Sequence, residues 1–176
     1  MIFREATRQD LPAVLALLAD EDQVLDPASI VVGEAHERAF VAIDEDARNE
    51  MLVLTDETAS AGEAHEAHEA HKVVLGCLQL TYIPGLGRNG QERALVEAVR
   101  VRADRRGEGL GAELMRLAVD RARDRGCGLV QLTSNKRREA AHRFYDVYKR
   151  QPRGLQAAPG TVTGAFRARW GLSTLA

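Results

Sequence analysis

The stretch that decides the fold runs from residue 94 to residue 111 and reads ALVEAVRV, RADR and RGEGLG. Its first eight residues alternate in the manner of a β-strand, with Leu95, Glu97, Val99 and Val101 on one predicted face. Its glycine-rich end leads into a predicted helix, residues 110–125, that carries a stripe of leucine and alanine. The pattern therefore predicts a strand, a glycine turn and a helix in direct succession.

The glycine turn has the composition of an anion-binding site. Gly107, Gly109 and Gly111 allow a ligand to approach the backbone closely, and their N–H groups lie at a helix N-terminus, where the helix dipole favours negative charge. Arg105 and Arg106 add charge-assisted contacts to phosphate oxygens. A turn that serves only to redirect the chain is the alternative interpretation.

Two established phosphate-binding motifs do not fit this turn. A Walker loop ends in Gly-Lys-Ser/Thr, whereas residues 111–113 read GAE. A dinucleotide fingerprint has the spacing G-x-G-x-x-G after the first strand of a doubly wound sheet, whereas this turn has G-x-G-x-G late in the chain. Both nucleotide-binding classes are therefore excluded as interpretations of the turn.

The remaining elements place the turn in a mixed α/β domain. Strands are predicted at residues 2–3, 51–54, 73–83 and 129–133, and helices at 11–18, 34–46 and 135–145. Thr7 to Asp10 resembles a helix N-cap and first turn, and Gly126 is expected to end the helix that begins at residue 110. Strand, helix, strand and helix in short succession predict a right-handed parallel crossover. Ala35, Ala39, Phe40 and Ile43 are the predicted buried face of the second helix.

Composition limits the class of protein further. The 176 residues are 45% apolar and 28% charged, which suits one compact domain. The sequence contains no apolar run long enough to span a membrane, and residues 1–5 lack the pattern of a secretory signal. Cys77 and Cys127 lie in apolar stretches, so we expect buried thiols in a reducing cytoplasm rather than a disulfide or a zinc site.

Charge is distributed unevenly along the chain. Residues 1–98 carry 7 Lys+Arg against 19 Asp+Glu, whereas residues 99–176 carry 17 against 7. The basic second half suits an anionic ligand, although solvated helix faces explain the same counts. Because the basic residues alternate with acids and no aromatic stacking platform accompanies them, we expect neither a nucleic-acid nor a membrane partner.

A histidine repeat lies between two of the predicted strands. Residues 63–71 read EAHEAHEAH, so His65, His68 and His71 recur at three-residue spacing. On a helix they would share one face and bind Zn²⁺ or Ni²⁺ weakly. A neutral insertion in a hairpin loop is the favoured interpretation, and we expect no metal requirement.

The segment from Arg106 to Gly111 reads R-x-x-G-x-G. Residues 97–101 precede it, and Asn135 and Phe144-Tyr145 follow it. This arrangement resembles the GNAT superfamily of acyl-CoA-dependent N-acetyltransferases. The resemblance covers about residues 1–145. It implies an α/β fold with a mixed, mostly antiparallel sheet, a splayed central strand pair and flanking helices. It also implies acetyl-CoA as co-substrate and a small-molecule or peptide amine as acceptor, and it is compatible with a homodimer.

The same resemblance implies which residues bind the co-substrate. The amides of the glycine turn would cradle the pyrophosphate, the strand after Glu97 would contact the pantetheine arm and acyl group, and Asn135 would reach the pantetheine or the CoA end. The implied cofactor-binding residues are Val99, Val101, Arg106, Gly107, Gly109, Gly111, Ala112 and Asn135.

The implied reaction is direct attack of a primary amine on the thioester within a ternary complex. Glu97 is the candidate base, acting through a water, and Tyr145 is the candidate acid for the departing thiolate. A strand amide near Val101 is the candidate oxyanion donor. In the alternative roles, Glu97 binds the substrate ammonium without acting as a base, and the Tyr145 ring packs in the core. A non-catalytic acyl-CoA-binding module or a truncated pseudo-enzyme is the alternative function.

The last part of the chain departs from the family pattern. After Tyr145 the family continues into a Leu-Gly-Phe turn and a closing strand pair, whereas residues 146–151 read DVYKRQ. We therefore expect an N-acetyltransferase domain over residues 1–145 and an atypical tail over 146–176, and the departure leaves the two closing strands in doubt. An artefactual or disordered segment and a divergent native C-terminus are the two explanations for such a tail.

Overall fold

The computed structural model of the protein describes residues 1–22, 31–56, 73–132, 155–157 and 166–169. The histidine repeat, Asn135 and Tyr145 lie outside the described residues, so the predictions for them stay predictions. Within the described ranges, every helix is too short or too polar to cross a lipid bilayer.

Seven strands form one mixed sheet, in the order β1-β2-β3-β4-β5-β7-β6. Their bounds are β1 Ile2–Glu5, β2 Asn49–Asp56, β3 Val73–Ile83, β4 Arg93–Val101, β5 Leu129–Leu132, β6 Leu155–Ala157 and β7 Phe166–Arg169. Strands β1 and β2 are antiparallel, and the first four residues of β4 pair with β5 in parallel. The parallel pair confirms the predicted crossover around the helix between β4 and β5.

Within the described ranges, four helices accompany the sheet: α1 Leu11–Asp22, α2 Glu34–Asp44, α3 Gly87–Gly90 and α4 Leu110–Asp124. The first two and the fourth lie where the sequence predicts them, whereas the single turn α3 was not predicted. Helix α4 ends as expected, because Gly126 has a φ of +86° and the N–H of Cys127 donates to the carbonyl of Ala122 at 2.9 Å.

The sequence leaves the closing strands in doubt, and the structure has two strands in the described segments of the tail. Strand β7 pairs antiparallel with β5, from Leu129 with Arg169 to Leu132 with Phe166, and β6 pairs antiparallel with β7. These strands are only three and four residues long. So short a segment cannot show the sustained alternation that predicts a strand from sequence.

Backbone contacts divide the chain into two compact units, residues 1–79 with 98–115 and residues 80–97 with 116–176. The first unit has a core in which α1 and α2 contribute Leu11, Val14, Leu17 and Phe40, together with strand residues including Val53, Val74 and Cys77.

On α2, the buried face is narrower than predicted: Phe40 is buried and Ile43 half-buried, but Ala35 and Ala39 are exposed. The larger side chains of α2 are sufficient to cover the apolar face of the sheet, so its alanines stay exposed.

The second unit buries side chains of β4 and β5, including Ala94, Val96, Val130 and Leu132. At its edge the guanidinium of Arg125 lies 3.9 Å from the centre of the Tyr82 ring. The same arginine pairs with Glu92 at 3.1 Å. One side chain thus makes both a cation–π contact and an ion pair.

Both cysteines are buried thiols and neither forms a disulfide, as the sequence predicts. Burial raises the pKa of the Cys77 thiol to about 12, and the charge of Arg100 opposes this only in part. The thiol therefore keeps its proton at neutral pH.

A polar cluster joins β1 to the start of α1. The guanidinium of Arg4 donates to both carboxylate oxygens of Asp10, at 2.7 and 2.9 Å, and the N–H and hydroxyl of Thr7 donate to the same carboxylate at 2.7 and 2.9 Å. Burial by itself raises the pKa of Asp10, but the hydrogen bonds from Arg4 and Thr7 outweigh it and hold this pKa below its ordinary value. The cluster confirms Thr7 as the residue that caps the first turn.

We expect Asp10→Asn to lower the free energy of unfolding at pH 7 by about 1–3 kcal/mol, because it removes charge-assisted hydrogen bonds from a buried site. The stabilisation is complete above about pH 4, the ordinary pKa of an aspartate, and is lost as the pH falls through the lower pKa of the folded protein. Urea unfolding at pH 7 and pH 3 should show the variant and the native protein converging at low pH. Asp120→Asn, at an exposed ion pair on α4, is the control and should change little. A gap between Asp10→Asn and the native protein that stays constant with pH would contradict the assignment.

Candidate functional site

The predicted glycine turn lies between β4 and α4 and is exposed. After a 3-10 turn at Ala103–Arg105, Gly107 and Gly109 adopt φ values of +87° and +85°. Residues 106–109 are exposed, and Leu110 is the first buried residue of α4. These two glycines are required by the backbone, since side chains other than glycine rarely adopt such φ values.

The amides of this turn are open to a ligand. The first α-helical hydrogen bond runs from the N–H of Glu113 to the carbonyl of Gly109, at 3.1 Å. Across the described ranges, the amides from Gly107 to Ala112 donate to no backbone carbonyl. The N–H of Arg106 differs from these amides, because it donates to the carbonyl of Ala103 at 3.4 Å. The open donor set is therefore residues 107–112, at the positive end of the helix dipole.

The space in front of the turn is also open. A Cβ atom placed on Gly107 or on Gly109 would meet no atom within 4 Å. A diphosphate could therefore approach this backbone as closely as hydrogen bonding requires. The residues present fit the pyrophosphate of an acyl-CoA.

The arginines of the turn contribute less free charge than the sequence suggests. Arg105 pairs with Glu108 at 2.7 Å and lies 3.8 Å from Asp56, and Arg102 makes two hydrogen bonds to Asp104 at 2.6 and 2.7 Å. These neighbouring carboxylates compensate the positive charge before any ligand arrives. Attraction of an anion therefore depends chiefly on the backbone amides and the helix dipole.

Strand β4 has an irregularity that the sequence does not predict. Ala98 has a φ of +54°, a left-handed conformation in the middle of the strand, of the kind found at β-bulges. The alternation of buried and more exposed residues along β4 therefore ends at the exposed Glu97. After it, Val99 and Val101 no longer continue the predicted strand face. Such strained positions are concentrated at functional sites.

Two side chains contact the backbone of this irregular segment. The Sγ of Cys77 on β3 lies 3.7 Å from the carbonyl oxygen of Ala98, within reach of a weak S–H hydrogen bond. The Nε of Arg106 donates to the carbonyl of Val101 at 3.2 Å. The predicted acyl-group neighbours Val99 and Val101 are both half-buried.

Gly76 on β3 determines how closely α4 packs on the strands. A Cβ at Gly76 would lie 2.7 Å from the carbonyl oxygen of Arg100 and 2.8 Å from a methyl group of Leu114. Only a hydrogen atom fits between β4 and the first turns of α4. Gly76 therefore supports the position of the helix N-terminus that carries the open amides.

Sequence reasoning missed Ala98 and Gly76 for different reasons. An alanine carries no signal of a left-handed backbone, so Ala98 could not be found from one sequence. A glycine inside an otherwise apolar strand is a known sign of close backbone or helix approach, so Gly76 could have been found.

The sequence matches the model of the acetyltransferase (GNAT) family over residues 32–147, more than half of the chain. The chain belongs to this family. The match includes β4, the glycine turn and α4, the segments on which the sequence-based prediction rested. The family uses acyl-CoA, which agrees with the open amides of residues 107–112.

Comparison with solved structures gives the same fold. A transcriptional regulator from Bacillus halodurans C-125 is similar at 35% identity and a TM-score of 0.68, over 89% of this chain and 98% of that one. Glucosamine-6-phosphate N-acetyltransferase from Arabidopsis thaliana is similar at 18% identity and a TM-score of 0.63, over 89% and 95%. The NatC complex bound to Gag peptide and CoA contains a chain with 16% identity and a TM-score of 0.60, over 94% of each. Comparison with curated proteins gave no match.

We expect Gly76→Ala to lower the free energy of unfolding by about 1–3 kcal/mol, because the added methyl group forces the β4 backbone or Leu114 to move. Thermal and urea unfolding measure the change. Gly33→Ala is the control, since a Cβ there meets nothing within 4 Å and φ is an ordinary −107°. Equal stability of the two variants would show that Gly76 does not set the packing of α4.

Proposed function

We propose that the protein transfers the acetyl group of acetyl-CoA to a primary amine. The observation that carries this proposal is the run of amides from Gly107 to Ala112, which donate to no backbone carbonyl within the described residues and whose first three residues are exposed. Unpaired donors at a helix N-terminus suit a ligand with adjacent phosphates. Family membership supplies the acyl-CoA part of the proposal.

Strand β4 supplies the backbone for the reacting end of the co-substrate. The left-handed turn at Ala98 changes the direction of the peptide groups that follow, which lie within the segment of Val99 and Val101. An N–H of this segment is our proposed donor to the oxyanion that forms when the amine attacks the thioester carbonyl. Such a donor stabilises charge that is absent from the ground state, so it accelerates the reaction.

Glu97 is proposed to prepare the amine. It is the exposed residue of β4 immediately before Ala98. In the reaction a C–N bond forms and the C–S bond breaks; the amine proton passes through water to Glu97, and the thiolate takes a proton from Tyr145. The roles of Tyr145 and Asn135 rest on the family resemblance. In the alternative role, the Glu97 carboxylate binds the substrate ammonium without taking its proton.

Binding without turnover is the second candidate function. The chain is 35% identical to a protein described as a transcriptional regulator, a description that names no transfer reaction. A protein that binds acyl-CoA as a signal would keep the glycine turn and need no base. Calorimetry with CoA and a turnover assay over an amine panel separate the two functions.

We expect Gly109→Ala to weaken CoA binding by about tenfold or more, because the methyl group occupies the open space and the backbone leaves its left-handed conformation. Isothermal titration with CoA measures the affinity. Gly90→Ala is a matched control: Gly90 also has a positive φ, +78°, with nothing within 4 Å of its added Cβ, but lies in α3. Both variants should lose similar stability. If both also bind CoA as the native protein does, the phosphate site is not at the glycine turn.

We expect Glu97→Gln to lower kcat by about 10²–10⁴-fold with the KM for acetyl-CoA unchanged, as removal of a general base does. Release of CoA can be followed with a thiol reagent, because Cys77 and Cys127 are buried and contribute little background. Glu45→Gln, at an exposed position after α2, is the control.

Two other outcomes have distinct meanings. A raised KM for the amine with kcat preserved would assign Glu97 to ammonium binding. Tight CoA binding without turnover of any amine in the native protein would favour the binding function.

A further inference from the structure

A half-open cavity of about 330 Å³, here called the β4–β5 cavity, lies where the connection between β3 and β4 meets the start of β5. The connection and the two strands contribute lining residues that include Gly85, Gly87, Gln91, Arg93, Leu129 and Gln131. All of these residues belong to the second compact unit, whereas residues 106–111 belong to the first. The β4–β5 cavity therefore shares no residue with the glycine turn.

Arg93 gives this cavity a positive charge. It is half-buried at the first position of β4, and among the residues that the structure describes its guanidinium forms neither an ion pair nor a hydrogen bond. Its Nη1 atom lies 3.8 Å from a Cβ placed on Gly85, beside the cavity wall. The carboxylate of Glu92 does not compensate this charge, because it pairs with Arg125 at 3.1 Å. The cavity therefore offers one net positive charge to a ligand.

The strand register places Arg93 and Gln131 on one face of the sheet. Arg93 pairs with Leu129, and Leu95 with Gln131, in the parallel ladder of β4 and β5. Because every second residue of a strand points to the same face, these four side chains share that face, and the Cα atoms of Arg93 and Gln131 are roughly 8 Å apart. The residues between them, on the opposite face, are buried. One small molecule can therefore contact the guanidinium and the amide together.

Two side-chain amides complete the polar lining. In the part of the chain that the structure describes, the amides of Gln91 and Gln131 form no hydrogen bond. Gly128 makes room for one of them, because a Cβ at Gly128 would lie 2.7 Å from the carboxamide carbon of Gln91. A primary amide both donates and accepts hydrogen bonds, as a hydroxyl does. The two amides therefore suit neutral hydroxyl groups rather than a second charge.

The volume of the cavity indicates the size of its ligand. A cavity of about 150 Å³ holds benzene, so about 330 Å³ holds roughly twice as many non-hydrogen atoms, on the order of a dozen. The lining includes the apolar side chain of Leu129, but this residue is buried. A long hydrocarbon arm would therefore gain little contact here, whereas a polar chain of the same length would meet the amides.

We propose that the β4–β5 cavity binds a small polyhydroxy monocarboxylate, of the size and chemistry of a sugar acid. The guanidinium of Arg93 binds the carboxylate through two parallel N–H···O hydrogen bonds. The amides of Gln91 and Gln131 bind hydroxyl groups. One negative charge on the ligand matches the one positive charge of the cavity, whereas a dianion such as phosphate would keep a charge without a partner. This inference does not depend on the proposed acetyl transfer.

Isothermal titration of the full chain with D-gluconate tests the site, and D-glucitol is the neutral counterpart. We expect D-gluconate to bind at least about tenfold more tightly than D-glucitol, because only the carboxylate forms charge-assisted hydrogen bonds with Arg93. Arg93→Gln should remove this preference. Arg38→Gln is the matched control, with the same change at an exposed position of α2, and should keep it.

A second variant tests the hydroxyl contacts. D-gluconate should bind at least about fivefold more tightly than hexanoate, which has the same charge and chain length but no hydroxyl group. Gln131→Leu should bring these two affinities together, because leucine is similar in size and cannot form the hydrogen bond. The preference for D-gluconate over D-glucitol should remain in this variant. Gln131→Leu also keeps the proposal testable if Arg93→Gln does not fold.

The opposite results are equally distinct. Absence of D-gluconate binding, equal affinity for D-glucitol, or a preference that Arg93→Gln leaves unchanged would overturn the carboxylate site. Equal affinity for hexanoate in the native protein, or a preference over hexanoate that survives in Gln131→Leu, would overturn the polyhydroxy assignment. Displacement of D-gluconate by excess CoA would place the carboxylate at the glycine turn and overturn the proposal as well. These results concern binding alone, so failure of this inference leaves the proposed acetyl transfer to its own tests.

Discussion

Backbone N–H groups without carbonyl partners are the feature on which the functional interpretation depends. A helix N-terminus always leaves several amides unpaired, and a buried set would cost considerable free energy. Here the problem is solved by exposure, since residues 106–109 lie at the surface and two glycines open the backbone further. The strand-to-helix turn is thereby both a solution to a folding constraint and a site with the chemistry of phosphate binding.

Close packing holds this donor set in place. Gly76 lets the first turns of α4 approach β3 and β4 to a distance that no side chain at that position would permit. The surrounding arginines are mostly paired with carboxylates, so they contribute rigidity to the turn more than net charge. The affinity of the proposed phosphate site would then come from oriented dipoles fixed by the fold, which lose no conformational freedom on binding.

The strained residue Ala98 connects the two sides of the proposed reaction. Its left-handed backbone changes the direction of β4 between exposed Glu97 and the half-buried valines that follow. A buried thiol from β3 contacts its carbonyl oxygen on the sheet face where α1 and α2 enclose an apolar cavity. A single irregular residue thus begins the strand segment proposed for acyl transfer.

The order of strands and helices, the mixed sheet and the glycine turn could be predicted because periodicity and glycine placement act over a few neighbouring residues. Thr7 as a cap, Gly126 as a helix end and the buried cysteines follow from the same local rules. The left-handed Ala98, the approach of Arg105 to Asp56, the short strands β6 and β7 and the cavity between α1 and α2 could not be predicted. Each of these depends on which distant segments of the chain meet in space. Local sequence patterns do not determine those contacts, because only the packed fold brings the segments together.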